Sequence, residues 1–129
     1  MPDEASVPAV VVVDDDQEVV DLLIDVLMGA GITAQGCTNA SEAFWFIGRT
    51  HPKLILLDVQ MPGVDGIQLF NQLREDSSLA HTAVLFLTAN PLLVSRALPD
   101  YVRRGATLVA KPFQPYELVD QITKLLATQ

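Results

Sequence analysis

Short, wholly apolar runs rich in Val, Ile and Leu recur along the chain, separated by longer segments of mixed character. The four clearest runs are Ala9–Val13, Leu54–Leu57, Ala83–Leu87 and Leu108–Ala110, and Ile32–Cys37 is a weaker fifth. Polar residues do not alternate with the apolar ones, which is typical of strands covered on both faces of a sheet. The runs therefore predict five buried strands.

The segments between the runs carry the spacing of amphipathic helices. Four of them are clear: Gln17–Ala30, Ala40–Arg49, Gly66–Glu75 and Pro115–Ala127. The second follows Asn39, which together with Glu42 resembles a capping box. In the first segment we expect one side to carry the apolar residues Val19, Leu22, Leu23, Val26 and Leu27.

The segment between Thr88 and Gly105 is the least regular part of this pattern. Pro91 can begin a helix, but Pro99 would break or kink one, so we expect a fourth helix that is short, kinked or partly irregular. Strand and helix thus alternate along the whole chain, which predicts an α/β fold with a parallel sheet and helices on both faces. We assign residues 9–129 to this one domain and residues 1–8 to a flexible leader.

Polar side chains follow four of the predicted strands. Asp14–Asp16 come after the first, Asp58 after the third, Thr88 after the fourth and Lys111 after the fifth. Ligands of open parallel sheets bind beyond the carboxyl ends of the strands, so these side chains are candidates for a shared site. A helix N-cap would account for one of the three consecutive aspartates, and we expect Asp16 to have that role.

These residue types suit phosphoryl transfer. Crowded carboxylates repel one another unless a cation is present, and Mg²⁺ binds through one or two carboxylates plus phosphate oxygens. Aspartate can accept a phosphoryl group. The transition state spreads negative charge over its equatorial oxygens, with which a lysine ammonium can pair and to which a threonine hydroxyl can donate. The strand ends therefore predict a metal-assisted phosphoryl-transfer site.

Composition narrows the function classes further. The 129 residues include 16 acidic and 8 basic ones, for a net charge of −8, which disfavours direct binding of nucleic acid. Cys37 is the only cysteine, so no intramolecular disulfide can form. Met1–Pro8 lacks the features of a signal peptide, and no apolar run approaches the ~20 residues that span a membrane. We expect a cytoplasmic protein without membrane contact.

The chain resembles the receiver domains of bacterial response regulators from about Val10 to Leu126. The resemblance is carried, in order, by Val-Val-Val-Asp-Asp-Asp at 11–16, Leu-Ile-Leu-Leu-Asp-Val-Gln-Met-Pro-Gly-Val-Asp-Gly at 54–66, Leu-Thr-Ala at 87–89 and Lys-Pro-Phe at 111–113. Each piece alone is weak, but together at strand ends they are specific. The resemblance implies a five-stranded flavodoxin-like (βα)5 sheet in the order 2-1-3-4-5.

The resemblance also implies individual roles at the metal. Asp58 is the implied phosphoacceptor. Asp15 is implied as a direct ligand of Mg²⁺, for which Mn²⁺ can substitute, and Asp14 as a ligand acting through water. The backbone carbonyl of Gln60 would complete the protein's share of the metal shell.

Further roles follow for the phosphoryl group and for partners. The resemblance implies that Thr88 bonds the phosphoryl group, that Lys111 pairs with it, that Lys111–Pro112 is a cis peptide, and that Met61–Gly63 forms the loop beside the acceptor. The implied phosphodonor is a sensor histidine kinase or a phosphotransfer protein, and the implied readout is an output protein or domain. A phosphorylation-dependent dimer is compatible with this class. We expect no output domain within the chain, which leaves a stand-alone receiver and a receiver excised from a larger regulator or hybrid kinase as alternatives.

One departure from the family pattern bears on the switching mechanism. Receivers often carry an aromatic residue three positions before the lysine, where this chain has Leu108. An aliphatic side chain prefers burial in either state and cannot turn inward as an aromatic ring does. We therefore predict that activation reorders the segment Pro91–Arg104 through Thr88.

Two other function classes are alternatives for the same residues. A haloacid-dehalogenase-like hydrolase needs a second aspartate two positions after its nucleophile, where this chain has Gln60, which cannot act as an acid or base. A flavodoxin-like cofactor binder needs a phosphate-cradling loop after the first strand, where Asp14–Asp16 would repel a phosphate. Neither class fits as well as a signalling receiver that assists its own phosphorylation and dephosphorylation.

Several residues have plainer interpretations. Cys37 is expected to be a small apolar residue, His51 and His81 to be solvated, and Arg103–Arg104 to form a solvated helix end. Phe44, Trp45 and Phe46 cannot all face the core, so one of these rings is expected at the surface.

Overall fold

The computed structural model describes residues 7–59 and 65–128, and these form one parallel sheet flanked by helices. The strands are β1 (Val10–Val13), β2 (Ala34–Cys37), β3 (Leu54–Asp58), β4 (Ala83–Thr88) and β5 (Ala106–Ala110). The helices are α1 (Gln17–Gly29), α2 (Ala40–Thr50), α3 (Gly66–Glu75), α4 (Pro91–Ala97) and α5 (Pro115–Ala127). The strand order is β2-β1-β3-β4-β5, and every neighbouring pair is parallel. The α/β class, the five strands and the order 2-1-3-4-5 are thereby confirmed.

The sheet separates two apolar cores, and each strand contributes to both. Successive side chains of a strand point to opposite faces, so Val11 and Val13 pack under α2, α3 and α4, while Val10 and Val12 pack under α1 and α5. Every residue of β3 is buried, down to Asp58 at its end. Burial of a Val or Leu side chain contributes roughly 1.5–3 kcal/mol. The absence of polar alternation in the runs follows from this two-sided coverage.

Side chains fix the starts of four helices. Asp16 accepts a hydrogen bond from the Glu18 N–H, which confirms its capping role. Asn39 caps α2 by accepting from the N–H groups of Ser41 and Glu42. Similar caps begin α3 and α4, whereas α5 begins at Pro115 without a side-chain cap. Because these caps set where each strand-to-helix turn ends, they position the loops at the carboxyl edge of the sheet.

The structure corrects the predicted apolar face of α1. Val20, Leu23 and Leu27 are its buried residues, with Ile24 partly buried beside them, whereas Leu22 is 51% exposed. The helix is therefore rotated toward Val20. Gly36 of β2 explains part of this rotation, because a Cβ at that position would collide with the Val20 side chain. The helix α1 therefore lies close against β2 at this glycine.

The structure also bears on the expectations for α4, for β5 and for the aromatic residues of α2. The fourth helix is short, with seven residues, and it ends at Ala97, so Pro99 falls outside it. Strand β5 begins at Ala106, two residues before the predicted start at Leu108. Among the aromatic residues of α2, Trp45 is the one at the surface, with 72% of it exposed. No helix within the described ranges is long and apolar enough to span a membrane.

Candidate functional site

The strand register brings the predicted site residues to one edge of the sheet. Val13 pairs with Leu57, so Asp14 and Asp58 follow on adjacent strands. Thr88 is the last residue of β4 and pairs with Ala110 of β5, which places Lys111 directly beyond it. The ladder continues past the strand ends, since the Lys111 N–H donates to the Thr88 carbonyl over 2.8 Å. Four separate stretches of sequence thus meet at this edge.

Three carboxylates converge there. Asp14, Asp15 and Asp58 each offer an oxygen, and these oxygens lie within 4.8 Å of one another. Asp14 is 2% exposed and Asp58 is 7% exposed, whereas Asp15 faces solvent. Two of the three carboxylates that could ligate a metal are therefore buried, and the third lies at the surface.

Lys111 provides the opposite charge. Its Nζ lies 3.5 Å from Oδ2 of Asp14 and 3.7 Å from Oδ2 of Asp58, and its side chain is 29% exposed. The Lys111–Pro112 peptide is cis, as the resemblance implied. The ammonium group is thus already beside the predicted acceptor.

Asp14 is the carboxyl group most affected by this environment. Its pKa is raised from 3.8 to about 6, chiefly by burial and also by the charges of Asp58 and Asp15, while the hydrogen bond from the Asp16 N–H and the charge of Lys111 act to lower it. Oδ1 of Asp14 accepts that hydrogen bond over 2.9 Å. Oδ2 is buried and makes no hydrogen bond with the residues that the structure describes, although Lys111 lies within ion-pair distance of it. A buried carboxylate oxygen in this condition is costly unless a cation or a donor reaches it.

These observations fit a divalent cation. Hard cations such as Mg²⁺ take carboxylate oxygens, and the three aspartates supply them within a span that one ion can bridge. The buried Oδ2 of Asp14 is the kind of atom that a cation or one of its bound waters would satisfy. Gln60, whose carbonyl was the fourth predicted donor, lies outside the described residues.

Thr88 connects the site to α4. It is fully buried, and its Oγ1 accepts a hydrogen bond of 2.9 Å from the Asn90 N–H. The side chain of Asn90 in turn caps α4 by accepting from the Leu93 N–H over 3.3 Å. The Thr88 hydroxyl is thus linked through Asn90 to the first turn of this seven-residue helix.

Gly66 and Asn90 are site residues that sequence reasoning missed. A Cβ at position 66 would collide with the Asp58 carbonyl oxygen, so only glycine lets α3 begin this close to the acceptor strand. The Gly66 N–H also donates to the Val59 carbonyl over 3.0 Å. Glycine immediately after Asp65, the capping residue of α3, was a usable signal for such a close approach. The hydrogen bond from Asn90 to Thr88 is donated by a backbone N–H, so the residue type at position 90 did not indicate it.

A parallel sheet in the order 2-1-3-4-5 with an acidic cluster at its carboxyl edge is the architecture of signalling receiver domains. The chain belongs to the response regulator receiver domain family, whose sequence model matches residues 10–123. It is therefore a receiver domain of two-component signalling, with the general phosphoacceptor role of that family, and not a metabolic enzyme.

Individual relatives agree with this assignment. The DNA-binding response regulator MtrA of Mycolicibacterium smegmatis is 35% identical over 114 residues, which are 88% of this chain and 48% of that protein. Response regulator Rre1 of Synechocystis is 37% identical over 91 residues, or 70% of this chain and 39% of that protein. The chain thus spans about half, or less, of the length of these relatives.

Solved structures show the same fold. A putative response regulator from Chloroflexus aurantiacus superposes with a TM-score of 0.80 at 32% identity, over 93% of this chain and 98% of that one. The receiver domain of the Francisella response regulator 1452 gives a TM-score of 0.81 at 26% identity, over 94% of this chain and 98% of that one.

Proposed function

We propose that Asp58 is the phosphoacceptor and that a sensor histidine kinase or a phosphotransfer protein is its donor. The observation that carries this proposal is the position of Asp58 at the end of β3, within 4.8 Å of two other carboxylates and 3.7 Å from the Lys111 ammonium. A carboxylate oxygen of Asp58 attacks phosphorus, and the P–N bond of the donor phosphohistidine breaks. The bonding pair returns to the imidazole nitrogen, which leaves an acyl phosphate on Asp58.

The side chains around Asp58 have distinct parts in this reaction. Asp14, Asp15, Asp58 and the carbonyl of Gln60 would hold Mg²⁺ or Mn²⁺, which supplies a positive charge to the transferring phosphoryl oxygens when bound. Lys111 pairs with one of these oxygens, and the Thr88 hydroxyl donates a hydrogen bond to another. Hydrolysis of the acyl phosphate, assisted by the same groups, returns the domain to its resting state.

We infer that the switch runs through Thr88. Its hydroxyl oxygen accepts a hydrogen bond from the Asn90 N–H. A phosphoryl oxygen on Asp58 would accept a hydrogen bond from the same hydroxyl and draw it toward the acceptor. Movement of Thr88 toward the phosphoryl group strains or breaks the bond to Asn90, and Asn90 caps α4. The rearrangement of α4 and its connection to β5 then changes the affinity for an output partner.

Output belongs to a partner or to another segment in this proposal. MtrA is described as DNA-binding and is about twice as long as the stretch it shares with this chain. With a net charge of −8, the receiver itself is a poor surface for nucleic acid. We propose that it acts in the cytoplasm on an output protein or domain, with phosphorylation-dependent dimerisation as one route.

The acceptor assignment is tested by mass. Wild type, Asp58→Asn and Asp25→Asn are incubated with acetyl phosphate and Mg²⁺, and their intact masses are compared. Asp25 is an exposed carboxylate on α1 and serves as the matched control. We expect one phosphoryl adduct on wild type and on the control but none on Asp58→Asn. An undiminished adduct on Asp58→Asn would show that another residue is the acceptor.

A further inference from the structure

Two arginines pack on the ring of Phe70, away from the acceptor site. The guanidinium carbon of Arg74 lies 4.7 Å from the ring centroid and that of Arg104 lies 4.9 Å from it. Phe70 is fully buried and makes an edge-to-face contact of 5.2 Å with Phe86, which lies two residues before Thr88 on β4. The two guanidinium groups thus pack against a ring that belongs to the core under α3 and α4.

Arg74 joins two connections that are far apart in sequence. Its Nε donates to the Arg104 carbonyl over 2.7 Å, and one Nη donates to the Thr82 carbonyl over 2.7 Å. The other Nη donates to the Leu79 carbonyl over 3.2 Å. The guanidinium therefore ties the end of α3 to the α3–β4 connection and to the end of the α4–β5 connection. A lysine could not reproduce this fork of donors.

Arg104 and Gly105 complete this arrangement. Arg104 donates to Oδ1 of Asn71 over 2.9 Å and lies 3.8 Å from the Asp100 carboxylate, so the expected solvated helix end is wrong for Arg104. Gly105 has φ +83, a conformation that favours glycine, and a Cβ there would lie 3.1 Å from an Nη of Arg74. We call Arg74, Arg104 and Phe70 the arginine clamp.

The connection between Thr88 and β5 has two parts that differ in burial, residues 89–97 and residues 98–105. Residues 98–106 carry a dense set of backbone hydrogen bonds, including Tyr101 N–H to the Leu98 carbonyl and Ala106 N–H to the Tyr101 carbonyl. Residues 89–97 include α4 with its own helical backbone bonds and the Asn90 cap, but Val94 is the only one of these residues that is buried. Leu92 in the same helix is 64% exposed.

We propose that Arg74 is a positioning residue that fixes residues 98–105, so that the rearrangement following phosphorylation is confined to residues 89–97. The inference rests on the proposed function and narrows the segment predicted from the sequence, Pro91–Arg104, to its first half. A rearrangement driven from Thr88 and Asn90 begins in the more exposed part of this connection. It stops before the Arg104 carbonyl, which accepts a hydrogen bond from the partly buried Arg74. The surface presented to a partner then changes at α4, while the turn before β5 stays constant.

Amide hydrogen exchange tests this on the intact chain. Wild type, Arg74→Lys and Arg103→Lys are compared with and without Mg²⁺ and beryllofluoride. Arg103 is a neighbouring exposed arginine and is the matched control. In wild type we expect protection to change across residues 89–97 and to stay within about twofold across 99–105. Arg74→Lys should accelerate exchange at the amides of 104–106 by about tenfold without beryllofluoride, because a set of charge-assisted bonds is lost. It should also extend the beryllofluoride response to residue 105.

Two results would overturn the proposal. One is a wild-type response across 99–105 as large as that across 89–97. The other is exchange at 104–106 in Arg74→Lys within about twofold of the Arg103→Lys control. If Arg74→Lys does not fold, Asn71→Ala is measured instead, because it removes only the hydrogen-bond acceptor of Arg104. We expect about threefold faster exchange at the amides of 104–106 in this variant. No acceleration there would also contradict the proposal. If beryllofluoride changes no wild-type amide, the proposed function fails, while the comparison without beryllofluoride still decides the role of Arg74.

Discussion

Replacing Asp14 with Asn is expected to stabilise the metal-free protein near neutral pH, although it removes a proposed metal ligand. Asp14 is 2% exposed, and its Oδ2 has no hydrogen-bond partner in the described part of the chain. Asparagine keeps the shape of the side chain and can still accept from the Asp16 N–H, but it carries no charge. The change therefore removes the cost of an ionised group inside the fold.

The magnitude follows from the shift in pKa, chiefly due to burial, from 3.8 to about 6. Between these values the folded protein binds more protons than the unfolded chain, so the free energy of unfolding falls as pH rises through this window. Above pH 6 the loss is complete, and at about 1.36 kcal/mol per pKa unit it amounts to about 3 kcal/mol. With an unfolding entropy of about 2.1 cal/mol/K per residue, this corresponds to a rise in Tm of about 10 °C for Asp14→Asn.

The assay is urea unfolding in the presence of a chelator at a series of pH values between about 4 and 7.5. The advantage of Asp14→Asn over wild type should be near zero at the acid end and should grow to about 3 kcal/mol at the neutral end. Asp25→Asn, an exposed carboxylate change, should show no such growth. An advantage that does not vary with pH, or an asparagine variant less stable than wild type at pH 7.5, would refute the reasoning.

Three further predictions concern the site and its switch. Asp15→Ala should weaken Mg²⁺ binding by at least about tenfold in a titration followed by Trp45 fluorescence, and unchanged affinity would remove Asp15 from the metal site. Lys111→Ala should still fold but lose about 3 kcal/mol of stability in metal-free buffer, because the buried carboxylates of Asp14 and Asp58 lose their counter-charge. It should also lose most of the amide-shift response to beryllofluoride, and a wild-type response would exclude the pairing role. Leu108→Ala should lose about 1–2 kcal/mol from a half-buried contact with the core under α4 but keep the exchange response of the segment after Thr88, whereas loss of that response would place the switch at position 108.

The sequence predicted the fold well because the central strands β1, β3 and β4 are buried on both faces. Runs such as Leu54–Leu57 can be neither surface strands nor amphipathic helices, so their order along the chain determines the class. The rotation of α1 was predicted less well, because Val19, Val20, Leu22, Leu23 and Ile24 offer two overlapping apolar stripes. Packing against β2 at Gly36 selects between them, and that contact is long-range.

The candidate site could be predicted from the sequence, whereas the arginine clamp could not. Asp14, Asp58, Thr88 and Lys111 could be grouped from sequence because parallel strands deliver their carboxyl ends to one edge. The arginine clamp could not be predicted, since Arg74 bonds to backbone carbonyls near residue 104 that carry no sequence signal. An arginine at a helix end looks the same in sequence whether it is solvated or bonded to a distant connection.

The charges at the acidic cluster limit which cation suits it. With Asp14, Asp15 and Asp58 ionised, three negative groups face the single positive charge of Lys111. A divalent cation would bring the formal sum to zero, whereas a monovalent one would leave an excess negative charge. Phosphorylation would then replace the single charge of Asp58 by about −1.5 to −2. Activation would therefore begin as an added negative charge of about 0.5 to 1 beside Thr88, which follows the β4 partner of Asp58. Because Asp58 is 7% exposed, salt would screen this charge less than it screens charges at the surface.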